Sequence, residues 1–213
     1  MATRLRRAEQ VERNRAAVVD AARRVFIERG YAGASLEAIA EEAGFSKGVV
    51  YSQFGSKSDL FFALLERRIE ERAAENERIV AQFAGVEAFR ELLLAGNRDA
   101  AAEPGWPYLL TEFRALAMRD AELNRRYAQA HSRSVNHLAS ALGQLYDGSG
   151  LEPAVSVRSL AEFILGWVAG IALERAANPY ALPDNDIAEL TARALGLSAD
   201  GEPPTASMKR RRR

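Results

Sequence analysis

Residues 35–54 carry side chains whose types and spacing suit contact with nucleic acid. Their sequence, SLEAIAEEAGFSKGVVYSQF, contains two short helical patterns separated by a turn at Gly44. Phe45, Val50 and Phe54 are spaced to pack back on the first pattern. The outer face of the second pattern is then small, polar or basic: Lys47, Gly48, Val49, Tyr51, Ser52 and Gln53. Because bulky apolar side chains would block a DNA major groove, this face is typical of a recognition helix, and the segment predicts a helix-turn-helix.

The elements that must hold this segment are marked by apolar spacing and by capping residues. Apolar residues recur at helical intervals over residues 18–26, and Gly30 is placed to end that helix. Ser35, Ser46 and Ser56 stand where the N-caps of the next three helices belong. The segment is therefore expected to form the last two helices of a three-helix unit.

Beyond residue 83 the same periodicity predicts longer helices. Their expected ranges are 86–102, 106–117, 121–147, 153–177 and 184–196. Strand-like alternation is absent from the sequence, so the predicted fold class is all-α. We expect a helix-turn-helix DNA-binding domain over 1–56, a helical ligand-sensing and dimerisation domain over 57–197, and a disordered basic tail over 198–213.

Composition excludes several classes of protein. The chain has 213 residues and no cysteine, which rules out a disulfide scaffold, a cysteine nucleophile and a thiolate zinc site. Residues 1–24 lack the apolar stretch of a signal peptide. The longest apolar run, Phe163 to Leu173, has 11 residues, too few to span a bilayer. We therefore expect a cytoplasmic protein that does not bind membranes.

Charge is unevenly distributed although the formal net charge is zero. Residues 1–60 contain 10 basic and 8 acidic residues, a net of +2, and residues 61–208 contain 14 and 21, a net of −7. Lys209 and the four arginines that follow it add +5. A basic N-terminal part on an acidic body fits DNA binding at one end, but ordinary surface charge fits as well, and charge alone leaves both interpretations open.

Three stretches between Val18 and Leu64 resemble the TetR family of bacterial transcriptional regulators. They are AARRVFIERGY, then SLEAIAEEAGFSKGVVYSQF, then SKSDLF. The resemblance implies a homodimer that places two recognition helices on a near-palindromic double-stranded operator. It also implies a C-terminal domain that binds a small-molecule effector and thereby moves the fourth helix.

The resemblance implies roles for individual residues at the DNA. The candidate DNA-binding residues are Ser35, Ser46, Lys47, Gly48, Val49, Tyr51, Ser52, Gln53 and Lys57. Phosphate contacts are expected from Ser35, Lys47, Tyr51 and Lys57. Base edges are expected to face Lys47, Gly48 and Val49. For Tyr51 a half-buried core position remains the alternative, and for Lys57 an ordinary solvated lysine.

The motif also departs from the family pattern. Glu37 stands where members often carry arginine, and Val49 replaces a small or hydroxyl residue. Ser52 and Gln53 replace the usual histidine or aromatic pair. The operator sequence therefore does not follow from the residues.

Aromatic residues on separate C-terminal helices are candidates for the lining of the effector pocket, with a plain aromatic core as the alternative. The candidate ligand-binding residues are Trp106, Tyr108, Phe113, Met118, Tyr127, His131, Phe163 and Trp167. Arg114 and Arg119 flank this set without interrupting it, and they keep a carboxylate ligand possible. The expected ligand is therefore small, largely apolar, and uncharged or weakly charged.

A face dense in small residues is the candidate dimer interface. Its residues are Gly166, Ala169, Gly170 and Leu173. Small residues allow helices to approach closely, so close packing inside one chain is the alternative. The resemblance to the TetR family implies that the last two long helices pack against the same two helices of a second subunit.

No residue constellation supports an enzyme. His131 and His137 lie six residues apart and point ~240° apart on a helix, so they cannot share a metal ion. No phosphate loop or nucleophile elbow is present, and we expect neither a metal nor another cofactor.

The predicted function is a repressor that a ligand releases from its operator. One alternative is a helix-turn-helix DNA-binding protein without a ligand, either an activator or an architectural protein, and a more remote one is an all-α enzyme. A large apolar cavity in the C-terminal domain would favour the ligand-released repressor over the protein without a ligand.

Overall fold

A computed structural model describes residues 2–149, 152–153 and 155–194, and these residues form helices connected by short turns, without a strand. The helices are α1 Ala2–Gly33, α2 Leu36–Ala43, α3 Lys47–Gln53, α4 Lys57–Gln82, α5 Gly85–Ala102, α6 Gly105–Ala117, α7 Ala121–Ser149, α8 Val157–Ala177 and α9 Asp184–Ala194. The all-α prediction is confirmed, and within the described residues the predicted ranges differ from these by a few residues at most. Residues 195–196 of the last predicted helix lie outside the described residues. The tail predicted over 198–213 lies outside the described residues.

Capping residues fix the start and end of the short helices in the helix-turn-helix. The Ser35 hydroxyl accepts a hydrogen bond from the backbone N–H of Ala38 at 3.1 Å, as an N-cap does. Gly44 ends α2 in the left-handed conformation, with φ 71° and ψ 24°. Ser46 precedes α3 in an extended conformation but makes no side-chain cap bond. The turn between α2 and α3 is thus held by its glycine and by backbone hydrogen bonds.

Gly30 kinks α1 where the sequence predicts the end of that helix. Its φ is 70° and its ψ is 172°, and one further turn follows to Gly33. A positive φ favours glycine. A Cβ atom at this position would also lie 2.7 Å from Oε2 of Glu112, which reaches over from α6. The kink therefore needs glycine for its backbone angles and for the approach of a carboxylate.

Two hydrophobic cores hold the helices together. The N-terminal core joins the buried residues of α1, α2, α3 and the first half of α4 to Leu109, Phe113 and Ala117 of α6 and Tyr127 and Ala130 of α7. The C-terminal core joins the end of α4 to α5, α7 and α8. Since α4 and α6 each reach from the N-terminal core toward the C-terminal helices, they link the helix-turn-helix to the rest of the chain.

None of the helices within the described ranges combines the length and the apolar run that a membrane crossing requires.

Candidate DNA interface and ligand cavity

Helix α3 presents one buried and one exposed face. Val50 is fully buried and Phe54, directly after the helix, is 2 % exposed. The Lys47, Gly48, Tyr51 and Ser52 side of the helix is exposed, whereas Val49 and Gln53 are half-buried. This division matches the amphipathic pattern from which the recognition helix is predicted.

Tyr51 and Glu37 are joined on the candidate DNA face. The Tyr51 hydroxyl donates to Oε1 of Glu37 at 2.9 Å, and this bond raises the pKa of Tyr51. The pKa of Glu37 is lowered, first by a hydrogen bond from its own backbone N–H, then by the Tyr51 bond, with a further contribution from the Lys47 charge. A carboxylate therefore stands beside the basic and hydroxyl groups of the proposed phosphate contacts.

Other candidate DNA-binding residues are engaged within the protein. The Ser52 hydroxyl donates to the carbonyl of Val49 at 2.8 Å. Oε1 of Gln53 is enclosed and accepts no hydrogen bond from the described residues. Arg15 donates to the carbonyl of Gln53 at 3.3 Å, and its guanidinium lies 4.3 Å from the centre of the Phe54 ring. Lys47 is thus the exposed cation at the start of the recognition helix, and the DNA contacts stay predictions.

Lys57 lies at the start of α4 and binds the end of α1. Its Nζ donates to the carbonyls of Tyr31, Ala32 and Ala34 at 2.7, 3.3 and 2.9 Å. It also lies 4.6 Å from the centre of the Tyr31 ring. Burial lowers the pKa of this ammonium, and the charge of Glu112 partly opposes that effect. Its predicted phosphate contact would have to compete with these three carbonyls.

Glu112 of α6 holds the same segment from the other side. Its carboxylate accepts hydrogen bonds from the backbone N–H groups of Tyr31 at 2.8 Å and Ala32 at 2.9 Å. We call this arrangement of Glu112, Tyr31, Ala32 and Lys57 the interdomain clamp. Sequence reasoning missed Glu112, because its partners lie 80 or more residues away and local patterns carry no signal of such a contact.

A cavity of about 440 Å³ lies among helices α4 to α8. Its apolar walls include Leu65 and Ile69 from the N-terminal core and Leu92, Leu138 and Ile164 from the C-terminal core. The cavity therefore separates the two cores, and its size lies in the range of small-molecule sites.

Of the eight residues predicted to bind the ligand, Trp106 is the one that lines this cavity. Phe113 and Tyr127 are buried in the N-terminal core, and His131 stacks on Tyr127 with 6.1 Å between ring centres. Four more are exposed: Tyr108, Met118, Phe163 and Trp167. The prediction fails for this cavity because the aromatic rings of α6 and α7 pack against other rings, while aliphatic side chains line the empty space.

Arginines line the cavity, contrary to the expectation that they only flank the pocket. They are Arg68, Arg72, Arg78 and Arg114. Arg72 donates to Oδ2 of Asp99 at 2.9 Å and to the carbonyl of Leu92 at 3.1 Å. For Arg68 and Arg72, the four-residue spacing along α4 is the signal that could have indicated this, since residues four apart share a face of a helix.

The two histidines are far from any metal-binding arrangement. Nε2 of His137 lies 3.8 Å from Glu70, and His131 stacks on an aromatic ring. Within the described ranges, no three His, Asp or Glu side chains are grouped to hold a metal ion.

The small residues predicted at the dimer interface lie on α8. Gly166 and Gly170 are exposed, Leu173 is 48 % exposed, and Ala169 is half-buried and lines the cavity. A Cβ atom at Gly166 or Gly170 would meet no atom of the described residues within 4 Å. The two glycines therefore do not serve close packing between the described helices of one chain.

Both parts of the chain match known protein families. Residues 18–64 match the family of bacterial regulatory proteins described as the tetR family. Residues 84–197, more than half of the chain, match the C-terminal domain of BetI-type transcriptional repressors.

Among relatives, the chain is 26% identical over 172 residues to the uncharacterized HTH-type transcriptional regulator YfiR of Bacillus subtilis, covering 76% of this chain and 80% of that protein. It is 34% identical over 124 residues to the HTH-type transcriptional repressor AcnR of Corynebacterium diphtheriae, covering 58% and 60% of the two chains. A crystal structure of the transcriptional regulator FadR from Bacillus subtilis, in complex with stearoyl-CoA, shares the fold with a TM-score of 0.69 at 20% identity, covering 88% of this chain and 99% of that one. The helix-turn-helix, the helical C-terminal region and these matches agree: the chain belongs to the TetR family and is a DNA-binding transcriptional repressor.

Proposed function

We propose that the chain binds its operator as a homodimer and releases it when a small, largely apolar molecule fills the cavity among α4 to α8. The observation that carries this proposal is the cavity itself. A helix-turn-helix protein without a ligand has no need of a largely apolar pocket of about 440 Å³ lined from both of its cores, whereas small-molecule sites have this size and character. The cavity therefore favours a sensor over an architectural protein.

The DNA contacts proposed from the family motif fit the exposed face of α3. Lys47 and Tyr51 are exposed on that face, and Ser35 caps α2 beside them. Lysine and hydroxyl groups bind phosphates and orient the protein, whereas base contacts give specificity. We assign Lys47 to a phosphate and the Gly48–Val49 edge of α3 to the bases.

The dimer is proposed through α8 and α9. Phe163 and Trp167 stack with 5.9 Å between ring centres and are 49 % and 37 % exposed, and Gly166 and Gly170 lie on the same side of α8. An apolar face of this kind is suited to bury against a copy of itself around a two-fold axis. Two half-sites about 34 Å apart on the operator require such symmetry.

Coupling between cavity and DNA is proposed to run through α4 and α6. Trp106 and Leu110 of α6 line the cavity, while Glu112 of the same helix holds the end of α1. Lys57 begins α4, whose later turns form another cavity wall. A ligand that displaces α6 would strain the interdomain clamp. Useful induction needs a coupling of about 1–3 kcal/mol, and operator DNA must weaken ligand binding by the same factor.

The test begins with sequencing the genomic fragments that the purified protein retains, which gives the operator. Operator affinity is then measured with and without apolar compounds that bind the protein. Ala100 lines the cavity and the adjacent Ala101 is exposed, so Ala100→Phe should abolish compound binding while Ala101→Phe leaves it intact. Compounds that bind equally well to the Ala100→Phe variant, or that bind without weakening operator affinity, would contradict the proposal.

A further inference from the structure

Arg68 is a largely buried cation on the cavity wall whose hydrogen-bonding capacity is unused. Its side chain is 17 % exposed. Glu103, its carboxylate partner, lies 3.6 Å away and already accepts two bonds from Arg23, at 2.6 and 2.9 Å. The Arg68 guanidinium lies 5.0 Å from the centre of the Trp106 ring and donates no hydrogen bond to the described residues. The guanidinium can therefore still donate hydrogen bonds to a molecule in the cavity.

Arg68 differs from the other arginines of the lining. Arg114 is exposed to solvent, and its guanidinium lies 5.5 Å from the centre of the Tyr127 ring. Arg72 is bound by Asp99 and a backbone carbonyl, and Arg78 pairs with Glu75. Glu71 is the remaining carboxylate of the wall, and it lies 3.7 Å from Nε of Arg67. The carboxylates of the lining are thus paired with other arginines, and Arg68 has only a share in Glu103, whose hydrogen bonds come from Arg23. Burial is the main cause that lowers the pKa of Arg68, and a bound anion would oppose it.

Asn76 lies two turns further along the same wall of α4. It is 5 % exposed, and its Oδ1 is enclosed without a hydrogen-bond partner among the described residues. A buried carboxamide oxygen without a hydrogen-bond donor is costly, so a ligand hydroxyl that donates to Oδ1 would stabilise it. Eight residues of helix place Asn76 about 12 Å from Arg68 along the helix axis. Between them the cavity wall carries the apolar side chains of Ile69 and Ala73, and its charged side chains there, Glu71, Arg72 and Glu75, are each in an ion pair.

We propose that the effector is an apolar carboxylate that carries a second, hydrogen-bonding group, such as a hydroxyl, at its far end. The carboxylate would accept charge-assisted hydrogen bonds from Arg68, the apolar body would lie against Ile69 and Ala73, and the far hydroxyl would bond to the Asn76 carboxamide. This inference rests on the proposed function of the cavity. Among the ligands that the sequence leaves open, it selects a carboxylate and assigns Arg68 as its partner.

The experiment is calorimetric titration of the full-length protein with three matched compounds: decanoate, its methyl ester, and decanoate with a terminal hydroxyl group. We expect both acids to bind more tightly than the ester, and the hydroxylated acid to bind most tightly. Arg68→Gln should weaken binding of the acids about ten- to a hundredfold and leave the ester unchanged. Glu103 keeps Arg23 in this variant, so no carboxylate is left unpaired. Arg78→Gln is the matched control, since Arg78 also lines the cavity but is 68 % exposed.

Asn76→Leu tests the other end of the ligand. In this variant the two acids should bind equally, because the partner of the terminal hydroxyl is gone. Thermal unfolding of each variant with and without ligand shows whether it is folded, and Arg68→Lys supplies a second variant that keeps the charge.

Three results would overturn the inference: equal binding of acid and ester, equal effects of Arg68→Gln and Arg78→Gln, or no binding of the acids at all. Other results would contradict the proposed function and not the choice of ligand, so the two failures can be told apart. If the ester binds as well as the acids and Ala100→Phe abolishes its effect on the operator, the cavity is a sensor but its ligand is not an anion. If Ala100→Phe and Ala101→Phe bind every compound with the same affinity, the cavity is not the ligand site and the proposed function is wrong.

Discussion

The N-terminal core and the cavity use apolar side chains in opposite ways. In the core, aromatic rings from α1, α4, α6 and α7 pack directly on one another, and Phe61 and Phe113 stack with 3.9 Å between ring centres. About one and two turns beyond Phe61 on α4, Leu65 and Ile69 belong to this core and also line the cavity. Close packing fixes the helices that carry the DNA-binding face, whereas the cavity leaves room for a ligand to change the arrangement of its walls.

Helices α4 and α6 extend through both regions. Each has residues in the close-packed core and residues on the cavity wall, and each supplies one side chain to the interdomain clamp, Lys57 or Glu112. Because a helix moves nearly as a rigid body, a displacement at the cavity would be felt at the clamp. On the proposed function, a ligand in the cavity would therefore displace α4 and α6, and the close-packed core would carry that displacement to the DNA-binding helices.

The same substitution in the two regions should have unequal effects on stability. Leu64 is fully buried in the N-terminal core, whereas Leu165 is half-buried on the cavity wall. Leu64→Ala should lower the free energy of unfolding by about 2–5 kcal/mol, because it opens a new void among packed groups. Leu165→Ala enlarges a space that already exists and should cost at least about 1 kcal/mol less. Urea unfolding at fixed protein concentration measures both, and equal losses would remove the distinction between the regions.

Glu112→Gln tests whether the clamp transmits the signal. A carboxylate accepts from both backbone N–H groups, whereas a carboxamide offers one acceptor oxygen and turns a donor toward the second. We expect the change in operator affinity caused by a bound compound to shrink by about 1–2 kcal/mol, with compound binding in the absence of DNA little changed. Glu87→Gln, on the exposed start of α5, is the control. Unaltered coupling in Glu112→Gln would show that the signal takes another route.

Lys47→Ala addresses the DNA face alone. Loss of one phosphate contact should weaken operator binding about tenfold and lower the slope of log K against log salt by about 0.9. Arg90→Ala removes an exposed cation from α5 and should leave both quantities unchanged. An anisotropy titration across a range of salt concentrations makes the measurement, and an unaltered slope for Lys47→Ala would exclude the phosphate contact.

Glu37→Gln should strengthen DNA binding several-fold. The variant keeps an acceptor for the Tyr51 hydroxyl at 2.9 Å but removes a negative charge from a face that approaches phosphates. The gain should shrink as salt is raised. Glu41→Gln, an exposed position at the end of α2, removes the same charge and serves as the comparison. If both substitutions give the same gain, the effect is one of net charge and not of this site.

The helices and the division of α3 into a buried and an exposed side could be predicted because their signals are local. Ser35 and Gly44 mark helix ends through contacts within a few residues, and the burial of Val50 and Phe54 follows from spacing along one helix. Family resemblance then supplied the expected roles.

The cavity and the clamp could not be predicted in the same way. Whether Phe113 lines a pocket or fills a core depends on which rings from α1 and α4 reach it, and those partners are distant in sequence. Arg68 faces the cavity with free donors only because Glu103 is taken by Arg23 of α1. Such outcomes are set by tertiary packing, which residue types and periodicity do not encode.

The smallest expected effect is a pH dependence of stability that comes from His131, at the edge of the N-terminal core. The ring is half-buried against Tyr127, and burial, followed by the nearby Arg114 charge, lowers its pKa from the usual value of 6.5. The unfolded chain therefore binds a proton more readily than the folded protein at this site. As pH falls through the unfolded value, proton uptake favours unfolding, so this group destabilises the fold on the acidic side and has no effect well above 6.5. His131→Gln removes the titration, and its urea midpoint should fall less between neutral and mildly acidic pH than that of the wild type. If the urea midpoint falls equally in both proteins, the protonation of His131 is not coupled to the packing of the core. The loss of stability at acidic pH then comes from other groups.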